Sequence, residues 1–93
     1  MTVGILNISI YIPESNSLKA KRRLLHSLKA NLRNNFNIAV AQIGDEDKWQ
    51  KSQLAIVGVE KNRETINSCL SQIINYIENF KQVELINHQI ELI

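Results

Sequence analysis

The spacing of apolar residues alternates between two periods along this chain, and this alternation restricts the fold more than any other feature of the sequence. Near the N-terminus the apolar residues recur at every second position: Leu6, Ile8, Ile10 and Ile12. This period is typical of a half-buried strand, so we predict a strand over residues 3–12. Between residues 17 and 34 the spacing becomes helical, with Leu18, Leu25, Leu28 and Leu32 on one side. We predict a helix there, with Asn16 or Ser17 as its N-cap and its end at Asn34–Asn35.

The second half of the chain repeats this alternation. Residues 37–43 and 53–60 are rich in Ile, Val and Ala and are joined by a short polar connector, which predicts an antiparallel hairpin. A second helix is predicted over residues 62–79 from the apolar series Ile66, Leu70, Ile73, Ile74 and Ile77. A last strand is predicted over residues 83–93, with Ile86, Ile90 and Leu92 on one face.

The predicted order is strand, helix, strand, strand, helix, strand. Two β-α-β halves with right-handed crossovers place both helices on one face of a four-stranded antiparallel sheet. We therefore predict an α+β fold, a ferredoxin-like βαββαβ sandwich. The 93 residues suffice for one core but not for two, so residues 1–93 are predicted to form a single domain.

Charge is distributed unevenly along the chain. The segment 15–44 holds six cations and no carboxylate, whereas the other 63 residues hold five cations and all nine carboxylates. On the predicted first helix, one side collects the polar residues Lys19, Arg22, Arg23, His26, Lys29 and Arg33. Cations aligned along one helix edge suit contacts with phosphates, and the alternative is an ordinary solvated helix face. Lys21 instead projects toward the apolar side, and we expect its amine to extend past the sheet edge, with a carboxylate as one candidate partner.

The sequence contains no recognisable catalytic or cofactor motif. It has no Walker loop, GxGxxG, nucleophile elbow, HExxH or paired-cysteine signature, and its single cysteine is Cys69. The acidic run Asp45–Asp47 lacks the alternating spacing of a calcium loop, so a solvated turn is favoured over a metal site. We predict no catalytic residues, no metal, no cofactor and no enzymatic activity. The apolar start is predicted to be a strand rather than a leader, and no apolar run approaches a membrane span, so we expect a cytoplasmic protein without membrane contact.

Two surfaces are candidates for contact with another protein. Trp49, the only tryptophan, lies beside the polar connector, where it would act either as an interface anchor or as a cover for the end of the core. Tyr11 is the one aromatic residue on the outward side of the first strand, which is too few for a base-stacking platform. The outward positions of the other strands are small or β-branched, and they predict an apolar sheet surface suited to dimerisation: Ala39, Ala41, Ala55, Val57 and Val59.

The stretch from Val3 to Ile43, followed by Asp47–Lys51, resembles the bacterial YlxP-like family, a domain of unknown function. The resemblance is most specific at residues 17–23, 33–37 and 47–51. It implies a ferredoxin-like fold and, because members are often encoded beside translation and ribosome-maturation factors, work on RNA or the ribosome. It implies no catalytic residues. Ser52 departs from the family pattern, because a small apolar residue is usual at that place.

Two functional hypotheses follow. The first is a small RNA-binding module for ribosomal RNA or a ribosomal subunit, which contacts phosphates through the basic helix 17–34. The second is a protein-interaction module that forms a homodimer or binds a partner protein through the open sheet face, Tyr11 and Trp49.

Overall fold

The predicted order of elements is confirmed in the computed structural model, which describes residues 1–93. Six elements follow one another along the chain: β1 (Thr2–Tyr11), α1 (Leu18–Asn35), β2 (Ile38–Gly44), β3 (Lys51–Glu60), α2 (Arg63–Glu78) and β4 (Glu84–Leu92). Each helix begins where the sequence supplies a side-chain acceptor. Ser17 Oγ accepts from Ala20 N at 3.0 Å, and Asn62 Oδ1 accepts from Thr65 N at 2.8 Å. Such N-caps contribute about 1 kcal/mol each because they satisfy backbone donors that the helix itself leaves free.

The four strands form one antiparallel sheet in the order β2-β3-β1-β4. Because each helix connects strands separated by one intervening strand, both helices lie on the same face of the sheet, and the other face is open. This is the ferredoxin-like sandwich that the order of elements predicts. Neither helix is long and apolar enough to cross a membrane.

The core lies between the sheet and the two helices. The even-numbered residues of β1 are buried, as their alternation predicts, and residues of both helices pack against them. The buried apolar residues are Leu6, Ile8, Ile10, Ile12, Leu25, Leu28, Leu32, Leu54, Ile56, Ile66, Leu70, Ile73, Ile77 and Val83. Burial of a large aliphatic side chain contributes about 1.5–3 kcal/mol, so this layer supplies the main driving force for folding.

The last strand differs from its prediction at one position. The pairing of β1 with β4 shifts register between Ser9 and Ile10, so that Ser9 pairs with Asn87 and Ile10 pairs with Leu85. Ile86 is the extra residue of this bulge and is 53% exposed, so it does not join the inner face with Leu92. A bulge cannot be recognised from alternation in one strand because it depends on how two strands align.

One buried hydroxyl in this fold has no partner. Ser52 pairs with Ile10, lies on the face that the helices cover, and is 1% exposed, yet its Oγ makes no hydrogen bond. Burying a hydroxyl without a hydrogen bond costs about 1–3 kcal/mol. A small apolar side chain at position 52 would avoid this cost.

Replacing Ser52 with alanine is expected to raise the free energy of unfolding by about 1 kcal/mol, because the variant no longer buries an unpaired hydroxyl. In a domain of this size the melting temperature would rise by about 4–8 °C. Thermal unfolding followed by circular dichroism measures this shift. Ser9→Ala is the matched control, since Ser9 lies on the open face of the neighbouring strand and should give no comparable gain. An unchanged or lower melting temperature for Ser52→Ala would contradict the prediction.

Candidate nucleic-acid interface

The six polar residues predicted on one side of α1 do form one surface of the protein, which we call the basic flank: Lys19, Arg22, Arg23, His26, Lys29 and Arg33. Lys29 is half-buried and the other five side chains are exposed. The opposite side of α1 is buried and consists of Lys21, Leu25, Leu28 and Leu32. The amphipathic spacing thus separates an apolar face, which holds the helix on the sheet, from a cationic face in solvent.

No carboxylate compensates the basic flank. The one ion pair of the protein joins Lys48 Nζ to Asp45 Oδ1 at 3.2 Å and lies in the β2–β3 connection. The first turn of α1 contains no acidic residue, although carboxylates are favoured there by the helix dipole. From Lys19 to Arg33 the flank extends about 21 Å along the helix, at 1.5 Å per residue. A surface of this length and charge can contact several phosphates at once.

Lys21 is buried and connects α1 to the β2–β3 connection. Its side chain is 1% exposed, and its Nζ donates hydrogen bonds to the main-chain carbonyls of Asp45 and Lys48. The sequence predicts that the amine extends past the sheet edge toward a carboxylate, but it is buried instead, and its partners are main-chain carbonyls. Burial lowers the pKa of Lys21, while the neighbouring acidic side chains oppose that shift. Lys21 therefore serves the structure and is not part of the basic flank.

Asp45 organises the turn that receives Lys21. Its backbone has a φ of 60°, in the left-handed region that Asp and Asn tolerate better than most residues. Its carboxylate accepts from Gln53 Nε2 at 3.2 Å and pairs with Lys48. The hydrogen bond from Gln53, followed by that from Lys48, lowers the pKa of this carboxyl below its ordinary value. Nowhere in the chain do three or more His, Cys, Asp or Glu side chains lie together. The hydrogen bond from Lys48 N to Asp45 O at 3.1 Å closes the turn.

The two predicted interface residues lie in one groove. Tyr11 and Trp49 both line an open groove of about 640 Å³ between the β1–α1 connection and the β2–β3 connection. Trp49 is 55% exposed, so it does not cover the end of the core. Two hydrogen bonds hold the walls of the groove together: Gln50 Nε2 donates to Pro13 O at 3.1 Å, and Ile12 N donates to Gln50 O at 2.8 Å. Tyr11 and Trp49 lie close together because β1 pairs with β3. In that pairing Tyr11 is opposite Lys51, which follows Trp49 by two residues.

The open sheet face has an apolar half at its other end. Strand register aligns Ile5 with Val57 and Val57 with Ala39, and the next rows contain Val3 with Val59 and Ala55 with Ala41. We call these residues the apolar half: Val3, Ile5, Ala39, Ala41, Ala55, Val57 and Val59. The predicted apolar surface is therefore present, and it also includes Val3 and Ile5, which sequence reasoning missed although their alternation with Gly4 and Leu6 carries the signal.

The apolar half and the Tyr11–Trp49 groove are separate surfaces. Ile5 and Tyr11 are six residues apart on β1, which corresponds to about 20 Å in an extended strand. Between them the face is polar, with Asn7 and Ser9 outward and half-buried. Tyr11 is the only aromatic residue on this face of β1 and β3, so the arrangement lacks the neighbouring aromatics with which a sheet stacks several bases.

The remaining reactive side chain, Cys69, is half-buried on α2. Burial raises the pKa of its thiol, with a smaller contribution from the charge of Glu60. A raised pKa disfavours the nucleophilic thiolate, so Cys69 has the character of a small core-flanking side chain.

Comparison with known proteins agrees with the resemblance seen in the sequence. Residues 3–90 match the family described as "Protein of unknown function (DUF503)". The chain is 28% identical over 82 residues to the uncharacterized protein YlxP of Bacillus subtilis (strain 168), which covers 88% of this chain and 89% of the relative. Among solved structures, a de novo designed protein, Foldit4, shares the fold with a TM-score of 0.54 and 17% identity, over 100% of this chain and 97% of that chain. The chain therefore belongs to the DUF503 family of YlxP-like proteins.

Proposed function

We propose that this protein is a small, non-enzymatic RNA-binding module that contacts the phosphate backbone through the basic flank of α1. The observation that supports this most directly is that five exposed or half-exposed Lys and Arg side chains share one helix side without a carboxylate partner. Concentrated like charge raises the free energy of the protein through self-repulsion, and a polyanion relieves it. Phosphates are therefore the favoured partner of this surface.

Ribosomal RNA or an assembling ribosomal subunit is the RNA we propose. The fold alone does not favour it, but the YlxP-like resemblance implies work on RNA or the ribosome, because members are often encoded beside translation and ribosome-maturation factors. The protein would then act in the cytoplasm. Because the open sheet face lacks an aromatic stacking platform, recognition would depend on the shape and charge of the RNA rather than on its sequence.

Binding to purified ribosomal RNA and to 30S and 50S subunits, measured across a salt series, tests this proposal. Release of counterions makes the logarithm of the binding constant fall linearly with the logarithm of salt concentration, by about 0.7–0.9 per phosphate contacted. Contacts from the basic flank predict a slope equivalent to about three to six phosphates. An absence of binding at low salt would refute the proposal, and a slope near zero would show that the basic flank is not the contact surface.

A further inference from the structure

We propose that a pocket at the edge of the basic flank, which we call the side pocket, takes up the base of an unpaired RNA nucleotide while the flank contacts the neighbouring phosphates. This inference rests on the proposed RNA binding and names the feature of the RNA that the protein distinguishes. The side pocket is lined by Ala20, Arg23, Leu24 and Ser27 of α1 and by Phe80 and Gln82 of the α2–β4 connection. Its volume of about 310 Å³ is at the lower end of the range for small-ligand pockets, which suits a single flat group.

The side pocket and the basic flank share Arg23. Arg23 and Ser27 are four residues apart on α1, so their side chains are neighbours on one side of the helix. Ala20 and Leu24 have the same spacing and are half-buried, so they form the deeper part of the wall. The base and the phosphate of a nucleotide are parts of one residue of RNA. A phosphate bound beside Arg23 therefore brings its own base to the mouth of the pocket.

Phe80 supplies an aromatic surface that is fixed before any ligand binds. Its side chain is half-buried against the core, and its ring centroid lies 6.2 Å from that of Tyr76. Two main-chain hydrogen bonds hold the residue in place: Phe80 N donates to Ile77 O at 3.1 Å, and Val83 N donates to Phe80 O at 3.2 Å. Unpaired bases stack on aromatic rings and on the plane of an arginine guanidinium. The side pocket offers both groups, since Arg23 lines it as well.

The charge around the side pocket favours a ligand that carries phosphate. Arg23 lines the pocket, no carboxylate does, and the exposed Lys81 lies between its two lining residues of the α2–β4 connection. An apolar side chain of a partner protein would fill the space but would gain nothing from these cations. The Tyr11–Trp49 groove differs, because Glu14 lines it and the acidic turn adjoins it. The electrostatics therefore select the side pocket as the site for an RNA base.

The carboxylates closest to the side pocket in the sequence lie on other surfaces. Glu84 pairs with Tyr11 and belongs to the open face of the sheet, opposite the helices. Glu78 follows Tyr76 by two residues on α2, which places the two side chains about 160° apart around the helix. Tyr76 contacts Phe80, so Glu78 is on the side of α2 that faces away from the pocket. The phosphate of a bound nucleotide therefore meets no carboxylate at the pocket wall.

The polar groups of the side pocket accept any of the four bases. Ser27 and Gln82 are exposed at its wall, and a hydroxyl and a primary amide can each donate and accept a hydrogen bond. Stacking is likewise tolerant of sequence, because every base has a flat aromatic face. The side pocket would thus distinguish unpaired from paired nucleotides without reading which base is present.

Fluorescence anisotropy with two RNA hairpins tests the side pocket. One hairpin carries a single bulged nucleotide in its stem, and the other carries an abasic residue at the same place, so that both have the same number of phosphates. At about 0.1 M salt we expect the hairpin with the base to bind at least about 5-fold more tightly, which corresponds to the lower range for stacking of one base. The salt dependence should be the same for both hairpins, because the phosphates contacted by the basic flank are unchanged.

Three variants locate the effect. Ser27→Leu fills the pocket from an exposed position of α1, and leucine favours a helix more than serine does, so the fold should be retained. This variant should abolish the difference between the hairpins and leave the affinity for the abasic hairpin unchanged. Ser71→Leu makes the same change on the exposed side of α2 and should keep the difference. Phe80→Leu keeps an apolar side chain against the core but removes the ring, and it should reduce the difference.

The outcomes separate this inference from the proposed function. Equal affinity of the unaltered protein for both hairpins, with a steep salt dependence, would overturn the side pocket and leave RNA binding by the basic flank intact. A preference for the base that Ser27→Leu leaves unchanged would also overturn it, and so would a loss of affinity that this variant shows equally for both hairpins. An absence of binding to either hairpin at low salt would refute the proposed function and this inference together.

Discussion

Replacing Arg22 and Arg23 together with glutamate is expected to lower the affinity for ribosomal RNA by at least about 100-fold at 0.1 M salt. The substitution removes two phosphate contacts and introduces two repulsive charges in the middle of the basic flank. Losing two contacts should also reduce the steepness of the salt dependence by about 1.4–1.8 in the log–log slope. Filter binding or fluorescence anisotropy across a salt series measures both quantities.

The same variant is expected to fold normally. Both arginine side chains are exposed and neither forms an ion pair, so the free energy of unfolding should change by less than about 0.5 kcal/mol. The matched control is Lys61→Glu with Arg63→Glu, which makes the same change in net charge at exposed positions around the start of α2. An equal loss of affinity in both double variants would mean that net charge, rather than the basic flank, governs binding. A large loss of stability would mean that Arg22 and Arg23 are structural.

Replacing Lys21 with methionine is expected to lower the free energy of unfolding by about 2 kcal/mol. Methionine fills a similar volume but leaves the carbonyls of Asp45 and Lys48 without the amine that both accept from. Asp45 O keeps one further bond, from Lys48 N at 3.1 Å, so the Lys48 carbonyl suffers the larger loss. An unsatisfied buried carbonyl costs about 1–3 kcal/mol, and we expect this cost to exceed the gain from no longer burying an ammonium group, because the methionine removes both hydrogen bonds that compensate the buried charge.

Loss of the Lys21 hydrogen bonds should lower the global stability of the protein and should also change the β2–β3 connection. A decrease of about 2 kcal/mol corresponds to a melting temperature about 8–16 °C lower in a domain of this size. Trp49 fluorescence should change at the same time, because the turn that carries Trp49 loses its attachment to α1. Lys19→Met, two residues earlier at an exposed position, is the control and should be nearly neutral. Equal melting temperatures for the two variants would contradict the structural role assigned to Lys21.

Two neighbouring cations of α1, Lys21 and Arg22, have different roles in the protein. Lys21 and Arg22 are adjacent in the chain, yet one is buried and hydrogen-bonded and the other is exposed without a partner. Helical periodicity separates them by about 100°, and that angle was readable from the sequence. The hydrogen-bond partners of Lys21 were not readable, since they lie 24 and 27 residues away and only the pairing of β2 with β3 brings them under the helix.

The open sheet face and the Tyr11–Trp49 groove also combine features that the sequence predicts with features that only the tertiary structure decides. Alternation along β2 and β3 predicts an apolar sheet surface, whereas the sequence alone allows Trp49 to be either an interface anchor or a cover for the end of the core. Register then joined Val3 and Ile5 to the apolar half and placed Tyr11 beside the turn that carries Trp49. The candidate interface therefore consists of two surfaces, with Ile5 of the apolar half and Tyr11 of the groove about 20 Å apart.

The sequence by itself determined the order of the elements, the buried faces of β1, α1 and α2, and the composition of the basic flank. These properties follow from periodicity and capping, which act over a few residues, so a single segment contains the information. Only the tertiary structure decided the bulge that exposes Ile86, the carbonyl partners of Lys21, the unpaired hydroxyl of Ser52 and the separation of the apolar half from the groove. Each of these depends on how distant strands align, and a shift of one residue in that alignment moves every side chain to the opposite face of the sheet.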